Sequence, residues 1–218
     1  MSYDAVVFDN DGVLVDTTDY DVLHEAGWQA FEEAGIEDPD PEHVEEIVVG
    51  VTPESLSTIC ELYDLSVEEF WEIRDRTAHE AQREHVRAGG KPLFEDVSTL
   101  SDLDLPMGVV SSNQQATVDF LLDHFGVSGL FETAYGRQPT MLDLERKKPD
   151  PHFLEQALAD LDADDALYVG DRESDVTAAF NAGVDSAFIR RPHRRHHELS
   201  VQPTHVVDDL HDVRALCR

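Results

Sequence analysis

Three short apolar runs, each closed by small or acidic residues, punctuate the chain. Ala5-Val6-Val7-Phe8, within 3–8, gives way to Asp9 and Gly12. Met107-Gly108-Val109-Val110, within 105–110, ends at Ser111-Ser112-Asn113, and Ala166-Leu167-Tyr168-Val169 ends at Gly170-Asp171. Continuous apolar runs of this length, without polar alternation, predict strands covered on both faces. Helix-forming sequence follows them, as over 114–125 and 173–182. A repeating strand-then-helix order predicts an α/β fold with a parallel sheet. Residues 185–189 and 205–207 read as final strands, with Asp208 capping a last helix.

Between the first and second strands, the pattern changes to helical periodicity rich in acids over about 17–88. Helices are expected over 20–34, 41–49, 53–63 and 67–87, with Pro39, Pro41 and Pro53 near helix starts. This stretch predicts an α-helical cap, 17–88, inserted into a core formed by 1–16 and 89–218. Ala88-Gly89-Gly90-Lys91-Pro92 returns the chain to that core, and its Gly-Gly pair suits a hinge. No internal repeat or low-complexity segment is present.

Composition narrows the setting. A chain of 218 residues with 41% hydrophobic residues can bury a core without staples. The two cysteines, Cys60 and Cys217, form no CxxC pair and read as inert thiols. No apolar run approaches the roughly 18 residues that span a bilayer, and the N-terminus enters a strand directly, so a cytoplasmic protein is expected. There are 47 acidic residues against 16 basic ones, a net charge of −31, and lysine occurs only as Lys91, Lys147 and Lys148. Acids spread along a folded chain resemble the proteins of salt-accumulating halophiles. Self-repulsion opposes compaction in dilute buffer, and about 1 M salt shortens the screening length to roughly 3 Å. Such a surface argues against nucleic acid and anionic membrane as partners.

Candidate chemistry gathers at the strand ends. In parallel α/β sheets ligands sit outside the carboxyl ends of the strands, and those ends carry Asp9, Asp11, Ser111 and Asp171. Gly12 permits a tight turn that projects Asp9 and Asp11 together. Asp171 and Asp175, four apart at the entry to a helix, can face one side. Magnesium prefers hard oxygen ligands and keeps several waters, so Asp9, Asp171 and Asp175 with a substrate phosphate make a sufficient Mg2+ site.

In four ordered motifs the chain resembles the haloacid dehalogenase superfamily of hydrolases, and most closely its small phosphoglycolate-phosphatase-like members. The motifs are Asp9-Asn10-Asp11-Gly12-Val13-Leu14, Ser111 after Gly108-Val109-Val110, Lys148 in Lys148-Pro149-Asp150-Pro151, and Gly170-Asp171-Arg172-Glu173-Ser174-Asp175. The resemblance implies a Rossmann-like core with an inserted helical cap. It implies that Asp9 is the nucleophile that becomes phosphorylated, and that Asp11 is the general acid and base whose backbone carbonyl also binds magnesium. Lys148 would offset phosphoryl charge, while Ser111 and the backbone amide of Ser112 would hold phosphoryl oxygens. Ser111 has a second reading as the cap of the following helix.

The expected activity is hydrolysis of a small phosphorylated metabolite. Dehalogenases lack an acid two residues beyond the nucleophile, whereas Asp11 is present here. Sugar phosphomutases, the alternative, carry a cap histidine twelve residues beyond it; Asp21 stands there, and His24 is the nearest substitute. A non-catalytic phospho-acceptor is a third reading, with no use for a cap. The loop at Gly50-Val51-Thr52, which the resemblance would turn toward the site, has no basic residue to define a leaving group. Sequence leaves oligomeric state open. His193, His196 and His197 cluster with Arg190, Arg191, Arg194 and Arg195, but their spacing matches no zinc pattern and a solvated basic loop is expected. Trp28, Phe31, Phe70 and Trp71 are expected to pack within the cap or to shape a substrate entrance.

Overall fold

The computed structural model describes residues 3–218. In chain order these form β1 (Ala5–Phe8), α1 (Tyr20–Glu33), α2 (Pro41–Val48), α3 (Pro53–Leu62), α4 (Val67–Arg87), β2 (Met107–Gln114) and α5 (Gln115–His124). There follow β3 (Thr133–Arg137), α6 (Met141–Glu145), α7 (His152–Asp160), β4 (Ala166–Gly170), α8 (Glu173–Ala182), β5 (Asp185–Ile189), β6 (His205–Val207) and α9 (Leu210–Leu216). The chain divides into two compact units, one of residues 1–17, 92–136 and 146–218, the other of 18–91 and 137–145.

The first unit is built on a six-stranded sheet of order β3-β2-β1-β4-β5-β6. β1 pairs in parallel with β2 and with β4, and the parallel ladder continues to β5 and β6. This is the parallel α/β arrangement that the strand-helix alternation predicts, and the Rossmann-like core that the family resemblance implies. Both faces of β1 are covered, which is why Ala5–Phe8 shows no polar alternation. Val6 and Phe8 enter one apolar cluster with Leu14, Val109 and Leu167, while Ala5 and Val7 enter another with Leu154, Ala157 and Tyr168. Full burial of each such Val, Leu or Phe side chain contributes about 1.5–3 kcal/mol. The chain leaves β1 toward β2 and β3 on one side and returns to β4, β5 and β6 on the other. The strand order therefore reverses between β1 and β4, where α/β sheets open a crevice at their carboxyl edge.

The second unit is helical. Phe31, Ile47, Ile59, Phe70 and Trp71 are buried in its core, and the Phe31 and Phe70 rings lie 4.9 Å apart. Trp28 packs against this cluster from a partly buried position. Helix starts are set locally: Asp40 accepts from Glu42 N at 2.9 Å ahead of Pro41, and Thr52 and Ser55 cap one another ahead of α3.

Three sequence readings need correction. The core expected over 89–218 is not continuous, because 137–145 clusters with the helical unit. The reason is chemical: Arg137 forms a two-point ion pair with buried Asp75, its guanidinium lies 4.6 Å from the Trp71 ring centre, and Leu144 joins the apolar cluster. The last helix is capped by Asp209, whose carboxylate accepts from Asp212 N, and not by Asp208. Finally, β2 runs on through Ser111, Ser112 and Asn113 to Gln114, beyond the strand end expected at 110.

Candidate active site

β1 delivers Asp9 to the reversal point of the sheet. Asp9 N still donates to Val169 O of β4 at 2.8 Å, so its backbone is held by the ladder while its buried side chain points beyond the strand end. The turn that follows is tight: Leu14 N and Val15 N donate to Asn10 O, and Gly12 N donates to Val15 O at 2.7 Å. Gly12 has φ of +80°, and a Cβ there would come within 2.7 Å of Asp171 Oδ2, so the position needs glycine for both conformation and space. Asp11, at the half-exposed edge of this turn, has Oδ2 held by Asn113 Nδ2 at 3.1 Å.

β4 and α8 supply the opposing wall. Asp171 follows the last residue of β4, and Asp175 lies in the first turn of α8, where its Oδ2 accepts from Arg172 N at 2.9 Å. Gly170 lies directly under Asp175; any Cβ would overlap that side chain. Lys148 reaches the same place from the loop before α7. Its ammonium lies 2.8 Å from Asp9 Oδ1 and 2.7 Å from Asp175 Oδ1, donates to the Tyr168 hydroxyl at 2.8 Å, and is buried with both carboxylates. Tyr168 in turn donates to Val110 O at 2.9 Å, so one buried network ties β2, β4 and Lys148 together.

Charge in this network is not balanced. Burial pushes the Asp9 carboxyl up to about 7 against the pull of Lys148, with Asp175 and Asp171 adding to the rise. Burial also works against the Lys148 ammonium, but Asp175 and Asp9 prevail and hold its pKa well above the ordinary value. One ammonium thus serves two buried carboxylates and fully neutralises neither.

Asp9, Asp171 and Asp175 each present an oxygen such that all three lie within 4.8 Å of one another. Asp171 Oδ1 is buried and accepts no hydrogen bond, and Arg172 Nε lies 4.0 Å from it. Buried polar atoms are ordinarily paired. Three hard oxygen donors, an unsatisfied carboxylate oxygen and a deficit of positive charge fit a magnesium ion.

Ser111 is buried at the carboxyl end of β2, and its Oγ accepts from Asn113 N at 3.2 Å. It does not cap α5, whose N-terminal flank is Gln114 without a side-chain cap. Ser112 follows it half-buried. The Asp11 carboxylate stands outside the close carboxylate trio found among the described residues.

Sequence reasoning missed several participants. Asn113 and Tyr168 were hidden in strand sequence. The 190–197 segment, expected as a solvated loop, instead puts His193 Nε2 at 2.8 Å and Arg194 Nε at 3.0 Å from Asp171 Oδ2. Only the density of arginine and histidine there, in so acidic a chain, could have drawn attention to it. His193, with Arg172 and Arg194, offsets the cost of burial and holds the Asp171 pKa below the ordinary carboxylate value.

Comparison with known proteins agrees with this fold. A pyrophosphatase PpaX from Bacillus cereus (strain Q1) is 27% identical over 194 residues, covering 87% of this chain and 84% of its own. CbbY from Rhodobacter sphaeroides, solved in complex with phosphate, superposes with a TM-score of 0.72 at 20% identity, over 97% of this chain and 96% of its own. A predicted phosphoglycolate phosphatase from Haemophilus somnus superposes with a TM-score of 0.66 at 19% identity, over 99% and 98%. These two structures share the fold. The family model for haloacid dehalogenase-like hydrolases matches residues 6–189, and the chain belongs to that family.

Proposed function

We propose that this enzyme is a magnesium-dependent phosphatase that hydrolyses a small phosphate monoester through a phosphorylated Asp9. The observation that carries the reading is the cluster of buried Asp9, Asp171 and Asp175 at the reversal point of the sheet, with one ammonium, Lys148, paired to Asp9 and Asp175. The carboxylates of Asp9, Asp171 and Asp175, with the backbone carbonyl of Asp11, would hold Mg2+. When bound, the ion offsets the negative charge of the phosphoryl group beside these carboxylates.

Asp9 attacks phosphorus with a carboxylate oxygen, forming an O–P bond as the bond to the leaving oxygen breaks. Asp11 gives its proton to that leaving oxygen, then takes one from the water that attacks the phospho-aspartate, so one carboxyl serves both steps. Its hydrogen bond from Asn113 restrains it at the edge of the turn. Lys148 stabilises charge on the transferring group, and the Ser111 hydroxyl with the Ser112 N–H holds phosphoryl oxygens. In this reading the helical unit carries the cap role that the family resemblance implies, which is to exclude water and select the leaving group.

The pyrophosphatase name of the Bacillus relative and the phosphate complex of CbbY support a small phosphorylated substrate. Against the mutase alternative, Asp21 stands where the catalytic histidine is expected, and His24 is engaged in an aromatic stack, its ring 5.4 Å from that of Tyr20. The test is phosphate release from an aryl phosphate in molar salt, with and without Mg2+. Wild type is expected to turn over only with the metal, and Asp9→Asn to lose turnover; equal rates for the two proteins would contradict the reading. A panel of metabolites that includes pyrophosphate and phosphoglycolate then ranks substrates.

A further inference from the structure

We infer that His193 and Arg194 are positioning residues for the metal ligand Asp171. They fix its carboxylate so that Oδ1 is the oxygen offered to the ion. This inference rests on the metal site proposed above and adds two residues that none of the four sequence motifs contains.

The argument begins with the two oxygens of one carboxylate. Asp171 Oδ2 is engaged by His193 Nε2 at 2.8 Å and by Arg194 Nε at 3.0 Å, whereas Oδ1 is buried and accepts no hydrogen bond. Two donors on one oxygen oppose rotation of the group. A Cβ at Gly12 would come within 2.7 Å of the same oxygen and 3.0 Å of His193 Nε2, so glycine there leaves the pair its room.

The donors are themselves braced. On the N-terminal side of the segment, buried Arg191 binds both oxygens of Asp96 at 2.7 and 2.9 Å, donates to Val13 O at 2.6 Å, and lies 4.0 Å from the Phe94 ring centre. A short helical turn, Pro192–Arg194, then places His193 and Arg194 next to one another. On the C-terminal side, Glu173 accepts from Ser200 N at 2.6 Å, and Arg190 Nη1 donates to His197 O at 3.1 Å. The Val13 contact ties this clasp to the turn that carries Asp9 and Asp11.

A guanidinium beside a metal ligand also repels the incoming cation, so the two effects must be weighed. The Arg194 side chain is 26% exposed, so salt screens its charge only in part, but that charge is already paired with Asp171 Oδ2 at 3.0 Å. A hydrogen bond that fixes a ligand is not weakened in the same way. Orientation therefore prevails, and loss of such outer partners typically lowers metal affinity about 10–100-fold.

The test is Mn2+ binding followed by electron paramagnetic resonance, with Mg2+ measured by displacement, on the full chain in molar salt. The variants are Asp171→Asn, the double variant H193A/R194A, and the conservative pair H193Q/R194K. Asp171→Asn is expected to lose the ion, the double variant to bind about 10–100-fold more weakly, and the conservative pair to recover most of that loss. KM for an aryl phosphate at saturating Mg2+ should stay at the wild-type value. Wild-type or tighter affinity in the double variant, with loss in Asp171→Asn, overturns this inference alone. So does a raised KM with unchanged Mn2+ binding, which would make the pair a substrate site. Retained binding in Asp171→Asn overturns the metal-site reading and this inference with it. If the double variant does not fold, His193→Ala and Arg194→Ala taken singly decide the same question by the same affinities.

Discussion

Asp175 shows how one residue in this site carries two jobs. Its Oδ2 accepts from Arg172 N at the start of α8, and its Oδ1 pairs with Lys148. Removing one partner of a buried ion pair leaves an uncompensated charge and costs about 3–5 kcal/mol. Because Asp9 and Tyr168 still hold the ammonium, Asp175→Asn strands no charge and should lose less than that in urea denaturation, about 1–3 kcal/mol for its charge-assisted hydrogen bonds. A change of only a few tenths would mean that the pair contributes little. Asp11→Asn separates chemistry from binding. It should keep Mn2+ affinity near that of wild type while kcat falls by about 100- to 10,000-fold, the range for a positioned general acid. Unchanged kcat would remove Asp11 from proton transfer. At this scale the carboxylates and Lys148 were legible in the sequence because each closes an apolar run or stands in an ordered motif. Asn113, Tyr168 and His193 were not, since their roles come from neighbours distant in the chain.

Among the elements, the strands that read clearly are those covered on both faces. Ala5–Phe8 and Ala166–Gly170 are fully buried, and continuous burial produces the apolar run that sequence reasoning detects. β3 escaped because Thr133-Ala134-Tyr135-Gly136-Arg137 lies at the sheet edge, half-buried over its first three residues, and shows no such run. The 137–145 segment escaped for a related reason: its attachment to the helical unit depends on Arg137 meeting Asp75, a pairing across 62 residues that no local pattern announces. Helix α3 makes a simpler prediction. Burial, with Glu68 adding to it, pushes the Cys60 thiol up to about 11, and burial does the same for Cys217 beyond α9. At pH 8 only about one thiol in a thousand would be thiolate. Neither should be alkylated by iodoacetamide in the native protein over a time in which the urea-unfolded chain reacts fully, as read by mass spectrometry. Ready native labelling would show that the packing around these helices opens.

For the whole molecule, the net charge of −31 matters more than any single ion pair. Most acids face water, where isolated surface pairs contribute about 0–1 kcal/mol, too little to offset collective repulsion. Screening by salt relieves that repulsion, so the thermal midpoint should rise between low and molar KCl. A midpoint that stays constant or falls would contradict the halophilic reading of the surface. Among the described residues, no helix is long and apolar enough to cross a membrane. The account of the molecule finally depends on one covalent event at Asp9. The most direct measurement is an acid quench during turnover of an aryl phosphate with Mg2+, followed by peptide mass spectrometry. The account predicts a phosphoryl group on Asp9 in wild type, accumulating further in Asp11→Asn if the water step slows more than the first transfer, and absent in Asp9→Asn. Turnover with no label on Asp9 under any quench time, or label on another residue, would contradict it.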